Sequence, residues 1–335
     1  MAEVMIAIGA SAGGIEALVR LVGGLPANLQ AAVTVVVHVP STATSALPRI
    51  LNRAGPLPAA QAIDGDSIES GQIYVAAPGH HLLVMPGRLR VTRGPRENGH
   101  RPAIDTLFTS TASAFGRNAI GVVLSGANND GALGLAAIKA AGGIAVVQDP
   151  ADALVSEMPR SARDAVAADH VAPAAELGPL LASLVARQFA TQEAGSMSGE
   201  RNDLDDAEVQ ADKAAMETGD RSDQPSMLTC PDCGGVLWEL GSDKLLHYRC
   251  HVGHAYSAEV LQLEQASALE TALWTAVRAL DESASLARRL AHRARGRGLD
   301  RAAARFAEQA LEHERRAAIV LELVKSPSSA RPESE

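Results

Sequence analysis

Short runs of Val, Ile and Ala alternate with Ala/Leu-rich stretches of helical period through residues 1–190, and this alternation leaves few folds open. Val4–Ile8, Ala32–Val37, Ile73–Ala76, Ala119–Leu124 and Ile144–Val147 read as strands. Ile15–Gly23, Thr44–Asn52, Ile104–Ala114, Ala132–Ala141 and Pro179–Ala190 read as helices. Strands that are apolar throughout, rather than at every second residue, are covered on both faces. With helices between them they imply a parallel sheet. The expectation is therefore an α/β domain, a doubly wound and mainly parallel sheet. His81–Met85 and Leu89–Arg93 flank Pro86-Gly87 and read as a hairpin. Aromatics are 3% of the chain, so its core must be built from Val, Leu, Ile and Ala.

The 335 residues are enough for two or three domains. The expected division is an α/β domain at 1–190, an acidic flexible linker at 191–226, a zinc-ribbon-like module at 227–256, a helical hairpin or dimerising coil at 257–325, and a disordered tail at 326–335. Asp203, Asp205, Asp206, Glu208, Asp212, Glu217, Asp220 and Asp223 mark the linker, in which a short helix near Asp205–Met216 would have little to pack against. Leu261, Leu269, Leu273, Val277, Leu280, Leu286 and Leu290 recur at helical spacing over about Ala258–Arg295. Gly296-Arg297-Gly298 breaks that helix, and a second runs from about Leu299 to Val324. Arg288, Arg289, Arg293, Arg295, Arg297 and Arg301 cluster near the turn, as a solvated helix end or as a face for an acidic partner or nucleic acid. The paired helices offer a route to a homo-oligomer.

All three cysteines lie within Cys230–Cys250, an odd and clustered set unlike a secreted disulfide framework. Cys230-Pro231-Asp232-Cys233 is a C-x-x-C knuckle, and sixteen residues separate Cys233 from Cys250. Cys230, Cys233, Cys250 and His254 would close a tetrahedral, structural zinc site, with His251 and His247 as rival fourth ligands. A site with four protein ligands has no open position, so no catalysis is assigned to it, and none of the chain's chemistry is expected to need a cofactor. Reduced thiols point to a cytoplasmic protein. No apolar run approaches the roughly 18–20 residues of a membrane span, and Met1-Ala2-Glu3 shows no secretory signal. A net charge of −9 argues against a general nucleic-acid binder.

Gly9-Ala10-Ser11-Ala12-Gly13-Gly14 follows the first strand and admits three readings. A dinucleotide loop would have glycine where Ser11 stands, and would want an acidic residue where the second strand ends in His38. A nucleophile turn of the form G-x-S-x-G fits the residues as they are. In the third reading Ser11 only caps the helix. The nucleophile reading needs a base, and His38 ends the neighbouring strand, about 4.8 Å away in a parallel sheet. Asp130, in Leu124-Ser125-Gly126-Ala127-Asn128-Asn129-Asp130-Gly131, lies between another strand and helix, either as an N-cap or as the carboxylate that orients His38. All three residues fall at carboxyl ends of expected parallel strands, the edge where open α/β sheets place ligands. Backbone N–H groups at Ala12 and Ala127 are candidates for the oxyanion hole.

These residues resemble a known family. Over roughly residues 3–185 the chain is similar to the catalytic domain of the chemotaxis protein-glutamate methylesterase, CheB. The resemblance rests on Ile8-Gly9-Ala10-Ser11-Ala12-Gly13-Gly14, Val37-His38-Val39-Pro40, Ile73-Tyr74-Val75-Ala76-Ala77-Pro78-Gly79-His80-His81-Leu82-Leu83, Arg101-Pro102-Ala103-Ile104-Asp105, Asn129-Asp130-Gly131 and Met158-Pro159-Arg160. It implies hydrolysis of glutamate methyl esters on chemoreceptor helices, deamidation of receptor glutamines in some members, and a methylated chemoreceptor as partner. Ser11 would be the nucleophile, His38 the base and Asp130 its orienting partner. The sequence departs from the family where Val37-His38-Val39 replaces Gln-His-Met and where Gly126-Ala127-Asn128 replaces Gly-Met-Gly. The family's phospho-receiver domain is not expected in this chain. Zinc-ribbon tails with helices occur on similar chains without receivers. The rival readings are a weak or inactive signalling scaffold that acts through its tail, a nucleotide-binding domain and a small-molecule esterase.

Overall fold

The aliphatic runs form the parallel sheet that their pattern demands. The structure, a computed structural model, describes residues 2–39, 45–194, 225–240 and 246–325. The expected helix near Asp205–Met216, most of the expected linker and the expected tail at 326–335 lie outside those residues. Seven strands make the main sheet: β1 (Met5–Ala10), β2 (Ala32–Val37), β3 (Ala59–Gln61), β4 (Ile73–Val75), β7 (Ala119–Val123), β8 (Ile144–Gln148) and β9 (His170–Ala172). Their order is β3-β4-β2-β1-β7-β8-β9, and every neighbouring pair is parallel. β5 (His81–Met85) and β6 (Arg88–Thr92) form the expected antiparallel hairpin.

All six residues of β1 are buried because both faces are covered. Ile6 and Ile8 face a layer made by α1 (Gly14–Gly23), α2 (Leu47–Ala54) and α6 (Ala174–Ala194). Met5 and Ala7 face α3 (Ile104–Phe115), α4 (Ala132–Ala140), α5 (Glu157–Ala165) and the hairpin. Each large aliphatic side chain so buried contributes about 1.5–3 kcal/mol. β1 is central and the chain leaves it in both directions, so the carboxyl ends of β2, β1 and β7 stand side by side at the switch point of the sheet.

Three elements escaped the sequence pattern. β3 and β9 are three-residue strands at the two sheet edges. α5 buries only Met158, Pro159 and Ala162, too few to show a helical period in a nine-residue polar stretch. The last helix holds the expected Pro179–Ala190 stretch and is longer at both ends: α6 runs from Ala174 to Ala194 with Pro179 inside it. At Gly178 this helix lies directly on the end of α1. A Cβ added there would sit 2.5 Å from the Leu21 carbonyl oxygen and 2.7 Å from Gly24 Cα.

Beyond the α/β layers, β10 (Pro225–Thr229), β11 (Val236–Leu240), β12 (His247–Cys250) and β13 (Ala255–Ser257) form a four-stranded antiparallel sheet. Its small core includes Leu237, Tyr248, Tyr256, Val260 and Leu261. The chain divides into two compact units, Met1–Leu261 and Gln262–Glu335. The second unit holds most of α7 (Ala258–Arg295) and all of α8 (Asp300–Lys325). Its buried residues are mainly alanines: Ala284, Ala287, Ala291 and Ala294 on α7, then Ala303, Ala310 and Ala317 at every seventh position of α8. Arg288 on α7 is paired with Glu314 on α8.

Gly178→Ala sets two effects of opposite sign against each other. Alanine gains about 1 kcal/mol in helix propensity, whereas overpacking costs about 1–3 kcal/mol. The obstructing atoms are backbone and cannot rotate away, so the overlap wins. The variant should unfold at lower urea concentration than wild type, and an unchanged or higher midpoint would show that α1 and α6 can separate freely.

Candidate active site

Three consecutive sheet positions supply three polar side chains. Ser11 follows β1, His38 follows β2 and Asp130 lies in the loop after β7. The parallel register that pairs Ala10 with Val37 brings the first two together, and the His38 N–H donates to the Ala10 carbonyl at 3.1 Å. His38 Nδ1 lies 3.2 Å from Ser11 Oγ, and His38 Nε2 lies 2.8 Å from Asp130 Oδ2. With Asp130 ionised, Nε2–H donates to the carboxylate and the Nδ1 lone pair faces the serine hydroxyl. The structure thus brings together all three expected residues in the order serine, imidazole, carboxylate. The His38 and Asp130 side chains are 6% and 0% exposed.

Glycine is required where these loops meet. A Cβ on Gly9 would approach Ile104 Cγ2 to 2.3 Å, so the bare strand end lets the first residue of α3 lie against it. A Cβ on Gly126 would fall 2.8 Å from Ser11 Cβ and 2.0 Å from Met158 Sδ. Met158 therefore supplies an apolar side chain beside the Ser11 loop. Gly13 takes a φ of 71° at the N-cap of α1. Among the described residues, the N–H groups of Ala12 and Ala127 have no acceptor, as oxyanion donors require.

Asp130 is held more elaborately than the sequence foretold. The N–H of Ile104 donates to Oδ2 at 2.7 Å and that of Asp105 to Oδ1 at 3.1 Å. These are the first two residues of α3, so the carboxylate sits on a helix N-terminus. Asn98 Nδ2 donates to Oδ1 at 3.1 Å. Burial by itself would raise the Asp130 carboxyl, but the hydrogen bond and charge of His38, the Ile104 N–H and His100 outweigh it and hold it below the usual carboxylate range. The neighbouring Asp105 behaves oppositely: burial, then the charges of Asp130 and Glu97, push it well above that range. The two buried carboxyls are thus shifted in opposite directions, as expected for two acids close enough to compete for one charge.

His100 was also missed. Its ring stacks on His38, with centroids 3.6 Å apart and planes at 15°. Burial first, and then the adjacent His38, lower its pKa to about 4. No sequence pattern announces Asn98 or His100. They sit in the loop between β6 and α3, just before the Arg101–Asp105 stretch quoted for the resemblance.

The cysteine module forms a second cluster. Cys230, Cys233, Cys250 and His254 offer ligand atoms all within 4.8 Å of one another. Cys233 Sγ to Cys250 Sγ is 3.6 Å, and His254 Nδ1 is 3.6 Å from Cys230 Sγ and 3.4 Å from Cys250 Sγ. Bonds of about 2.3 Å to sulfur and about 2.05 Å to nitrogen give tetrahedral edges of about 3.8 and about 3.6 Å. The four residues therefore fit a tetrahedral cation. His254 joins the cluster, and His247 and His251 do not.

The family profile described as CheB methylesterase matches residues 6–181. The chain belongs to the CheB methylesterase family. That membership places it among the carboxylic ester hydrolases. A protein-glutamate methylesterase/protein-glutamine glutaminase of Pseudomonas aeruginosa is 40% identical over 190 residues, covering 56% of this chain and 54% of that protein. A relative from Leptospira interrogans that provisionally carries the same name is 40% identical over 167 residues, covering 50% of this chain and 86% of its own. The crystal structure of the Thermotoga maritima CheB methylesterase catalytic domain superposes with a TM-score of 0.53 at 29% identity, covering 55% of this chain and 100% of that one. No described helix is long and apolar enough to cross a membrane.

The lowered pKa of His100 carries a stability consequence. The folded protein resists protonating this ring, whereas the unfolded chain accepts a proton near the ordinary value of 6.5. His100 thus contributes stability that is present above about pH 6.5 and is lost as pH falls towards about 4. Urea unfolding between pH 7 and pH 4.5 should show a smaller loss for His100→Phe than for wild type, and equal losses would mean that His100 is protonated in the fold.

Proposed function

We propose that this chain hydrolyses glutamate methyl esters on chemoreceptor helices through a Ser11 acyl-enzyme. The observation that carries the reading is the continuous array Ser11 Oγ–His38 Nδ1, His38 Nε2–Asp130 Oδ2 at the switch point of the sheet. The names of the relatives support the substrate class.

Ser11 Oγ attacks the ester carbonyl carbon as His38 Nδ1 takes its proton. The negative charge on the carbonyl oxygen is met by the N–H groups of Ala12 and Ala127, each such donor being worth about 3–4 kcal/mol. The imidazolium is stabilised by Asp130, which stays ionised. The tetrahedral intermediate collapses, the acyl–oxygen bond breaks, and methoxide leaves as methanol with the proton from His38. Water, deprotonated by the same nitrogen, then attacks the glutamyl-serine ester and releases free glutamate side chain and Ser11. A glutamine side chain would follow the same course with ammonia as leaving group.

Zinc is the cation that best suits three cysteines and one histidine. Its four protein ligands give it a structural role, because no position is left for water or substrate. The protein is proposed to work in the cytoplasm, where its cysteines stay reduced.

Methanol release from methylated receptor membranes tests the reading. Ser11→Ala should lower the rate on the order of 10⁶-fold. Asp130→Asn should lower it about 10⁴-fold. Oδ2 accepts from the Ile104 N–H and Oδ1 from the Asp105 N–H, so an amide nitrogen at either place would meet a donor, and the imidazolium would lose the charge that stabilises it. Retention of release by Ser11→Ala would overturn the mechanism. Absence of release from folded wild type would favour the scaffold reading.

A further inference from the structure

The cysteine module and the candidate site share one loop. Ala255 of β13 donates its N–H to the Arg96 carbonyl at 3.3 Å and accepts from the Asn98 N–H at 2.7 Å. This parallel bridge adds residues 96–98 to the edge of the module's sheet. The N–H of Ser257 then donates to Asn98 Oδ1 at 2.9 Å. A backbone N–H can only donate, so the atom facing Ser257 must be the amide oxygen. The amide nitrogen is thereby aimed inward, where it donates to Asp130 Oδ1 at 3.1 Å and to Asp105 Oδ2 at 2.9 Å. Asn98 is 3% exposed and has a φ of 51°, so neither its backbone nor its side chain has an easy alternative. A second link reaches the residue before Asp130. Asn129 exchanges hydrogen bonds with Ser257 Oγ at 2.9 and 3.1 Å and donates to Glu259 at 3.0 Å. Two residues beyond Asn98, His100 lies on the His38 ring.

We propose that the metal-loaded Cys3His module is a positioning element of the hydrolase site, and that Asn98 is the positioning residue through which it acts. The inference rests on the esterase reading above. β13 begins one residue after His254, and the Cys250 N–H donates to the His254 carbonyl at 2.9 Å, so the ligand loop and β13 are one continuous piece of backbone. A small sheet of this kind depends on its metal for order. Closing the ligand set fixes β13, β13 fixes Asn98, and Asn98 fixes the oxygen of Asp130 that His38 does not use. Misplacement of a catalytic group by about 1 Å can cost about 10²-fold in rate. Loss of the metal therefore acts on turnover, and leaves substrate binding largely alone.

The test uses the full chain, zinc-loaded and after removal of zinc with a chelator, as wild type and as Asn98→Gly. Glycine accepts the positive φ and lacks only the amide. Methanol release gives kcat and KM, and hydrogen–deuterium exchange reports on residues 96–105. In wild type, zinc removal should lower kcat between about tenfold and 10²-fold, change KM less than about threefold, and speed exchange in that loop. Zinc-loaded Asn98→Gly should show a similar fall in kcat, and zinc removal should then add little, because both changes break the same chain of contacts. Equal effects of zinc removal in both proteins, a rise in kcat on zinc removal, or unchanged exchange in the loop would each overturn the proposal. If zinc-loaded wild type releases no methanol, the esterase reading fails, and the exchange measurement still decides whether the module orders the loop.

Discussion

Asp130 is a carboxylate with no exposure, and the rest of the site is built around the need to keep it charged there. An unpartnered buried carboxylate would cost several kcal/mol and take up a proton. Here its two oxygens accept from His38, from two N–H groups at the start of α3 and from Asn98. The helix start explains why α3 must come so close to β1, and the close approach explains why Gly9 and Gly131 lack side chains: a Cβ on either would strike Ile104. Gly9, which opens the turn that carries Ser11, thus serves the carboxylate as well as the serine. With Asp130 fixed and charged, the His38 ring has one stable orientation and one stable tautomer, and its free lone pair faces Ser11.

The sheet does the remaining positioning. Parallel pairing of β2, β1 and β7 puts three loops at one edge, and no loop needs unusual length to bring its residue in. The same edge receives the loop at residues 96–103, whose own anchors are side-chain and backbone bonds. His81 Nε2 lies 2.7 Å from the Pro95 carbonyl, its Nδ1 accepts from the Ala103 N–H at 3.3 Å, and Arg101 donates to the Gly94 carbonyl at 2.6 Å. That loop faces the Ser11–His38–Asp130 array on one side and β13 on the other, which is how a module far along the chain comes to touch the candidate site.

Much of this was legible in the residues. Buried parallel strands announce themselves by continuous aliphatic runs, and β2 falls on its expected bounds, Ala32–Val37. Ser11, His38 and Asp130 could be grouped because strand ends in a parallel sheet are neighbours. The cysteine spacing led to the observed four-residue cluster for a similar reason: ligand chemistry is local and specific to residue type. What stayed hidden was of two kinds. β3, β9 and α5 are short and bury few residues, so they leave no period to detect. Asn98 and His100 act through contacts between loops 30 residues or more apart in sequence, and asparagine or histidine in a polar loop is ordinarily silent. The Pro179–Ala190 stretch lies in the last helix as expected, and α6 extends beyond it at both ends, carrying Pro179 inside.

The central claim is that this arrangement makes Ser11 a nucleophile. Labelling with a phosphonofluoridate, which reacts covalently with activated serines, tests it without any choice of ester substrate. Intact-mass and peptide analysis should find one adduct, on Ser11, formed by wild type and lost in His38→Ala. An unlabelled Ser11 in folded wild type, or labelling that persists without His38, would contradict the account.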